Sequence, residues 1–344
     1  MTDPQALHRG TFSRRRFWQL GATAAATAAG VSVWQSRSAE AATADTAQDY
    51  FDRAAALAGS DPVLNDLIDG LSAGFVAPRP AAPEPKMIFD DVAVLSVGWV
   101  SATAILTSDG IILIDSLNNP AEAQQYIASG LTSLGLDPST IKYVVVTHGH
   151  SDHFGGAQYL ADTYGARVMM APADWDALAA SKPANAPTRD LDITDGQKLA
   201  LGSTTVTLRY TPGHTPGTVS PIFPVHGKGA RHTAMLWGGT KPPTSTADKQ
   251  TYLSSVTSFA SAMHSACVDV ELSNHAFYDY GLERMARLSS SSPRNPFVLG
   301  TSGTQKFMRV MKYMLQGLIA QDQSGTTTAA MATASAHAAG GCGC

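Results

Sequence analysis

Six side chains able to hold metal ions stand in three short stretches of the chain. His148-Gly149-His150-Ser151-Asp152-His153 gathers four donors, His214 sits in Thr211-Pro212-Gly213-His214-Thr215-Pro216-Gly217, and His275 follows the apolar run Val268-Asp269-Val270-Glu271-Leu272. Imidazole nitrogen and carboxylate oxygen suit zinc, and six such ligands suffice for two Zn2+ ions per chain with a position left open for water. Taken singly, each histidine could be an ordinary loop or core residue. A solvated polar loop, however, has no reason to place His-x-His-x-Asp-His at the end of a buried strand. His8, His226, His232, His264 and His337 lack a comparable setting.

Strand ends must deliver these donors. Lys142-Tyr143-Val144-Val145-Val146-Thr147 is near-continuously apolar, as expected of a strand covered on both faces, and it stops at His148. The spacing predicts strands over 92–97, 100–107 and 111–115, the last two joined by the turn Ser108-Asp109-Gly110. It also predicts a helix capped by Asn119 with Pro120 in its first position. Further helices are expected over 154–164, 172–180, 248–266 and about 305–320, and further strands over 167–170, 198–201, 204–210, 219–225, 232–237 and 268–272. A strand-rich meander followed by β-α alternation thus occurs twice, which predicts two similar α/β halves in one layered domain over residues 88–320. Upstream, 48–75 has helical apolar spacing, and Pro78, Pro80, Pro83 and Pro85 stiffen the stretch between it and the first strand, so 42–87 reads as a helical segment and linker. Residues 321–344 form a low-complexity tail, rich in Ala, Thr and Ser and expected to be disordered, that closes in Gly-Gly-Cys-Gly-Cys.

Composition narrows the partners. Lysine and arginine total 24 against 28 acids, leaving no basic excess to hold phosphate backbones, so nucleic acid is not expected as a partner. With 44% apolar and 15% charged residues among 344, the chain can bury a large core and is not generally disordered. Three cysteines, Cys267, Cys342 and Cys344, exclude a disulfide scaffold. Residues 1–41 read as a twin-arginine export signal: Ser13-Arg14-Arg15-Arg16-Phe17, an uncharged alanine-rich run from Leu20 to Ser36, and the small-residue site Ala39-Glu40-Ala41. That run is Ala, Gly and Thr rather than Leu and Ile, which favours cleavage over a stable membrane span. The expectation is a periplasmic or secreted protein that engages the twin-arginine machinery and acts on a small molecule. Because that route carries folded proteins, metal would be loaded before export.

At the donor motifs the chain resembles the metallo-β-lactamase superfamily, over about Val92 to Ala320. The resemblance implies the four-layer αβ/βα sandwich, a first zinc on His148, His150 and His214, a second on Asp152, His153 and His275, and Asp115 as the carboxylate behind a ligand histidine. Many hydrolases of the superfamily, including lactonases and glyoxalase II, place a bridging aspartate after the strand that here ends at Trp237, where this chain reads Gly238-Gly239-Thr240-Lys241. Lacking that carboxylate, the chain is similar to the β-lactamase subclass with His-His-His and Asp-His-His sites, as are Cys267-Val268-Asp269-Val270 and Asn295-Pro296-Phe297. It departs from relatives in having Ala276 where proline is common after the last ligand, and no cysteine in Phe307–Ala320 to pair with Cys267. The serines that help hold the antibiotic carboxylate have no clear match. Thr240 and Lys241 stand as the substitutes.

The chemistry this implies rests on charge. Two divalent ions bring more positive charge than Asp152 and one hydroxide remove, so a bridging water would ionise near neutral pH. The metal-bound hydroxide attacks a strained carbonyl, and Asp152 can also orient the attacking oxygen. The leading expectation is therefore a dizinc hydrolase that opens β-lactam rings. Other readings are a metallo-hydrolase of another ester, lactone or phosphodiester, an iron-based chemistry, or a metal-stabilised scaffold without catalysis. Gly98-Trp99-Val100-Ser101 is a candidate wall of the substrate groove, with plain packing the alternative for Trp99.

Overall fold

A computed structural model describes residues 45–289 and 294–338. The predicted export signal, Cys342 and Cys344 lie outside those residues. Asp45 onward forms one compact unit.

The chain enters through α1 (Ala47–Ala58) and α2 (Pro62–Leu71). The sequence reads 48–75 as one helical stretch, but Gly59 turns to positive φ and Asp61 caps a new helix at Val63 N–H with Pro62 in its first turn. Then come β1 (Lys86–Phe89), β2 (Val92–Ser96), β3 (Ser101–Thr107) and β4 (Gly110–Ile114), each antiparallel to its predecessor. α3 (Pro120–Glu122), capped by Asn119, runs through a wide turn over Ala123–Ala128 into α4 (Ser129–Ser133). β5 (Ile141–Val145), α5 (Ser151–Phe154), α6 (Ala157–Tyr164), β6 (Arg167–Met170), α7 (Pro172–Ser181) and the short β7 (Leu191–Asp192) complete a seven-stranded sheet, ordered β1 to β7 and parallel from β4 onward.

The second sheet holds β8 (Gln197–Leu201), β9 (Thr204–Tyr210), β10 (Val219–Gly227), β11 (Ala230–Trp237) and, after α8 (Thr246–Ser265), β12 (Val270–Ser273). Its order is β12-β11-β10-β9-β8, with β11 and β12 parallel. α9 (Gly281–Arg287) and α10 (Gly300–Ala338) close the chain.

Three apolar layers hold four layers of structure together. Ile105, Ile114, Val145, Val206, Phe223 and Leu236 fill the space between the sheets. Leu113, Ile127, Val144, Leu160 and Trp175 seal the outer face of the first sheet under its helices. Leu67, Met235, Trp237, Phe259 and Met311 seal the second sheet under α1, α2, α8 and α10. Each such side chain, taken fully out of water, contributes roughly 2–3 kcal/mol. The arrangement is the expected four-layer αβ/βα sandwich.

The helical segment before the prolines packs into the fold: Ala54, Leu64, Leu67 and Leu71 belong to the buried layer shared with α10. One expectation needs correction. The stretch from Gln321, expected to be disordered, continues α10 to Ala338. Alanine favours helix, and Asp322 is held by Lys249 Nζ at 2.8 Å and Thr246 Oγ1 at 2.8 Å from α8.

The parallel registers bring Ile114, Val145 and Met169 level in one sheet and Trp237 and Ser273 level in the other. The chain therefore leaves β4, β5, β11 and β12 at one edge, where side chains in the adjoining loops can converge. Two backbone bonds stitch the sheets together there: Val219 N–H to Thr147 O at 2.8 Å and Ser101 N–H to Asn274 O at 2.9 Å.

Candidate metal centre

The six candidate ligands meet at that edge in two groups, His148 with His150 and His214, and Asp152 with His153 and His275. In the first group, His148 Nε2, His150 Nδ1 and His214 Nε2 form a triangle with sides of 3.1, 3.1 and 3.0 Å. In the second, Asp152 Oδ2 lies 3.2 Å from His153 Nε2 and 3.5 Å from His275 Nε2.

The outward ring nitrogens determine what the inward ones present. His148 Nδ1 faces the Gly238 carbonyl at 2.7 Å, His214 Nδ1 the Lys241 carbonyl at 2.7 Å, and His275 Nδ1 the Trp99 carbonyl at 2.9 Å. A nitrogen facing an acceptor carries the proton, so in each neutral ring Nε2 turns a lone pair inward. Burial and neighbouring histidines push the His148 ring well below its ordinary value, and the same causes bring His214 down to about 3. For His275, burial and then His153 bring the ring down to about 4. His148 Nε2 and His214 Nε2 thus turn two lone pairs toward one another at 3.1 Å, a repulsion that a shared cation would relieve, and nitrogens held at about 2.0 Å in a tetrahedron stand roughly 3.3 Å apart. The donor set fits a zinc-like ion.

The second group is anionic. Asp115 Oδ2 accepts from His153 Nδ1 at 2.8 Å and from Thr147 Oγ1 at 2.9 Å, while Asp115 Oδ1 accepts from Thr147 N–H at 2.7 Å. Burial alone would strip His153 of its proton, but Asp152 and Asp115 flank the ring and raise it to about 10. A cation seated there takes that proton's place. His153 Nε2 is fully buried and, apart from its 3.2 Å ion-pair contact with Asp152 Oδ2, has no polar partner among the described residues, a setting that suits a metal ion. Burial opposes ionisation of Asp152, yet His153 and His275 outweigh it and hold the carboxyl well below its usual range.

The loop that supplies Asp115 is conformationally unusual. Asp115 and Leu117 both have φ of 63°, and Ser116 donates from N–H and from Oγ to the His153 carbonyl, each at 2.8 Å. Such left-handed residues persist only where their surroundings hold them, here the back of a candidate ligand histidine.

Thr240 and Lys241 both line the cavity above the donors, Thr240 buried and Lys241 exposed without an ion pair among the described residues. The Lys241 carbonyl also orients His214. That loop is anchored from below: Tyr252 Oη donates to the Gly239 carbonyl at 2.7 Å, and Trp237 Nε1 donates to the same oxygen at 2.9 Å. A Cβ on Gly239 would stand 2.7 Å from His214 Cδ2, so no bridging aspartate fits there without displacing His214.

Several residues with roles here are not singled out by sequence pattern. Asn274 Nδ2 donates to the Gly238 carbonyl at 3.0 Å, and its neighbour is the candidate ligand His275. Asp174 accepts from the backbones of both first-group loops. Phe75, Phe277 and Tyr278 join Trp99 in walling a cavity of about 700 Å3 that opens over both groups. Trp99 stacks on His275 with centroids 5.7 Å apart, and the Arg79 guanidinium sits 3.3 Å from the Trp99 ring centroid. The residues after α2 line this cavity as well, which spacing alone could not reveal.

Comparison with known proteins leads to the same fold and the same ligand stretch. A model of the metallo-β-lactamase superfamily matches residues 96–227. An uncharacterised protein of Mycobacterium leprae is 40% identical over 91 residues, 22% of this chain and 42% of that protein. A hydroxyacylglutathione hydrolase of Acidiphilium cryptum is 33% identical over 105 residues, 30% of this chain and 38% of that enzyme. The chain thus spans less than half the length of these curated relatives. Among solved structures, a subclass B3 metallo-β-lactamase of Bradyrhizobium japonicum superposes with a TM-score of 0.61 at 23% identity, covering 74% of this chain and 98% of that one. A metallo-β-lactamase of Legionella gormanii gives 0.62 at 22% identity, over 72% and 99%. At these identities the likeness is one of fold. The family match covers the stretch that bears all the candidate ligands except His275, and the solved metallo-β-lactamases share the fold.

Proposed function

We propose that the chain is an exported zinc hydrolase that opens β-lactam rings. The observation that carries this reading is the charge and shape of the cavity: two donor groups, one neutral and one anionic, share a single opening with an aromatic wall and Lys241 at its rim, a cation without an ion pair among the described residues. A volume of about 700 Å3 suits a drug-sized molecule. One such lysine suits a substrate with one carboxylate, such as a β-lactam, better than a polyanion.

The first group would hold one ion through three neutral histidines, and the second another through Asp152, His153 and His275. When bound, the ions supply Lewis acidity and make a water acidic enough to act as nucleophile near neutral pH. The protein's share is positional. Asp152 stays ionised at the cavity floor, where it accepts a hydrogen bond from the attacking water and orients it. Lys241, with Thr240 beside it, would draw the substrate carboxylate to the rim, while Trp99, Phe75 and Phe277 pack against its apolar groups. Residues 1–41 would direct the protein through the twin-arginine pathway to the periplasm or outside the cell, leaving no membrane span.

The test is zinc per chain, and hydrolysis of a chromogenic cephalosporin and a carbapenem with and without chelator, on residues 42–344. About two zinc ions and chelator-sensitive turnover are expected. Two ions without turnover would overturn the antibiotic assignment. Hydrolysis of another ester or a thioester would then lead, a reading favoured by the 33% identity to a hydroxyacylglutathione hydrolase.

A further inference from the structure

Asp174 stands in the first turn of α7, only 1% exposed, and its carboxylate reaches away from its own helix. Oδ2 accepts from Gly149 N–H at 2.7 Å and from Thr215 Oγ1 at 2.7 Å, and Oδ1 accepts from Gly217 N–H at 2.9 Å. Among the described residues no lysine or arginine pairs with it. A buried carboxylate without a counter-ion is costly unless several donors converge on it, and here three do.

Those donors come from the two loops that carry the first group. Gly149 lies between His148 and His150, while Thr215 and Gly217 follow His214. The chain separates these loops by α5, α6, β6, α7, β7, β8 and β9, so nothing local sets their spacing. The close approach is specific: a Cβ on Gly217 would stand 2.6 Å from Asp174 Cγ.

We propose that Asp174 is a positioning residue for the first donor group, clamping the two loops so that the nitrogens of His148, His150 and His214 stand close enough to share one cation. The proposal rests on the reading of that group as a metal site. The clamp also places a buried negative charge behind three neutral ligands, which favours a divalent ion over none.

Site-resolved metal binding tests it. In a His275→Ala chain the second group is broken, and titration with Co2+ or Zn2+ reads the first group alone. Adding Asp174→Asn turns an amide N–H2 toward a backbone N–H and should weaken that binding 10- to 100-fold. Thr215→Val, which removes one donor and leaves the carboxylate, should weaken it by a smaller factor and serves if Asp174→Asn does not fold. In a His214→Ala chain, where the second group remains, Asp174→Asn should leave the affinity unchanged. Equal losses in both backgrounds together with a lower melting temperature of the metal-free chain would mean support of the fold only, and would overturn the proposal. So would unchanged affinity in the His275→Ala chain. If the unsubstituted chain bound no ion, the metal reading itself would fall, and this inference with it.

Discussion

His214 Nδ1 lies 2.7 Å from the Lys241 carbonyl, and Gly239, two residues earlier, leaves no space for a side chain against the same ring. One short loop after β11 therefore both orients a candidate ligand and excludes the carboxylate that many relatives place there. The support reaches down to Trp237 and Tyr252, whose polar atoms hold the Gly239 carbonyl from the buried layer beneath.

Gly239→Ala tests that crowding. The new methyl must push the His214 ring aside by several tenths of an ångström or more, because the backbone on the other side is anchored. Zinc stoichiometry by equilibrium dialysis is expected to fall from about two toward one, with the second group retained. Two ions held at unchanged affinity would refute the crowding argument.

Asp115→Asn tests the carboxylate behind His153. The amide cannot accept all four hydrogen bonds, from Thr147 N–H, Thr147 Oγ1, His153 Nδ1 and Asn274 Nδ2, so one N–H would face another donor in a fully buried site. The second group's metal affinity is expected to fall 10- to 100-fold, with a smaller effect on the first. Titration in His214→Ala and His275→Ala backgrounds separates the two.

Substrate contacts should separate from the chemistry. Lys241→Ala leaves its backbone carbonyl on His214, and Trp99→Ala leaves its carbonyl on His275, so both donor groups keep their orientation. For a carboxylate-bearing β-lactam, each is expected to raise KM by about tenfold with kcat changed less, from loss of an ion pair or of aromatic burial. Unchanged KM in Lys241→Ala, together with unchanged KM in Thr240→Ala, would remove the carboxylate assignment.

A pH effect on stability is expected away from the site. Burial, then Glu283 and Asp69, raise the α2 residue Asp66 from 3.8 to about 6. A carboxyl raised on folding favours the native state fully below pH of about 4, and that favour is lost as pH rises through about 6. Asp66→Asn should therefore stabilise the metal-free chain at pH of about 8 by about 1 kcal/mol, after allowance for its partial exposure, and by much less at pH of about 4. Urea denaturation at both values checks the sign. An equal gain at both would point to a cause other than ionisation.

How much of the fold is legible in the sequence depends on the range of the interaction. The buried run ending at Thr147, the Asn119 cap and the turn at Ser108-Asp109-Gly110 are local, and strand and helix form where spacing places them. The break at Gly59 to Pro62 is equally local but hidden within a longer apolar rhythm. The extension of α10 past Gln321 is not legible from composition, because its anchor is a contact between Asp322 and Lys249, 73 residues apart.

The candidate site divides the same way. Sequence by itself determined the six donor types and their placement after strand ends, since ligand chemistry resides in side-chain identity and strand termination in local pattern. Only the tertiary structure decided which nitrogen of each ring turns inward, that Asp174 ties two distant loops together, and that Phe75 and Trp99 share a wall. Those outcomes depend on backbone carbonyls and packing partners scores of residues away, and no local pattern encodes a contact that exists only after the sheets have stacked.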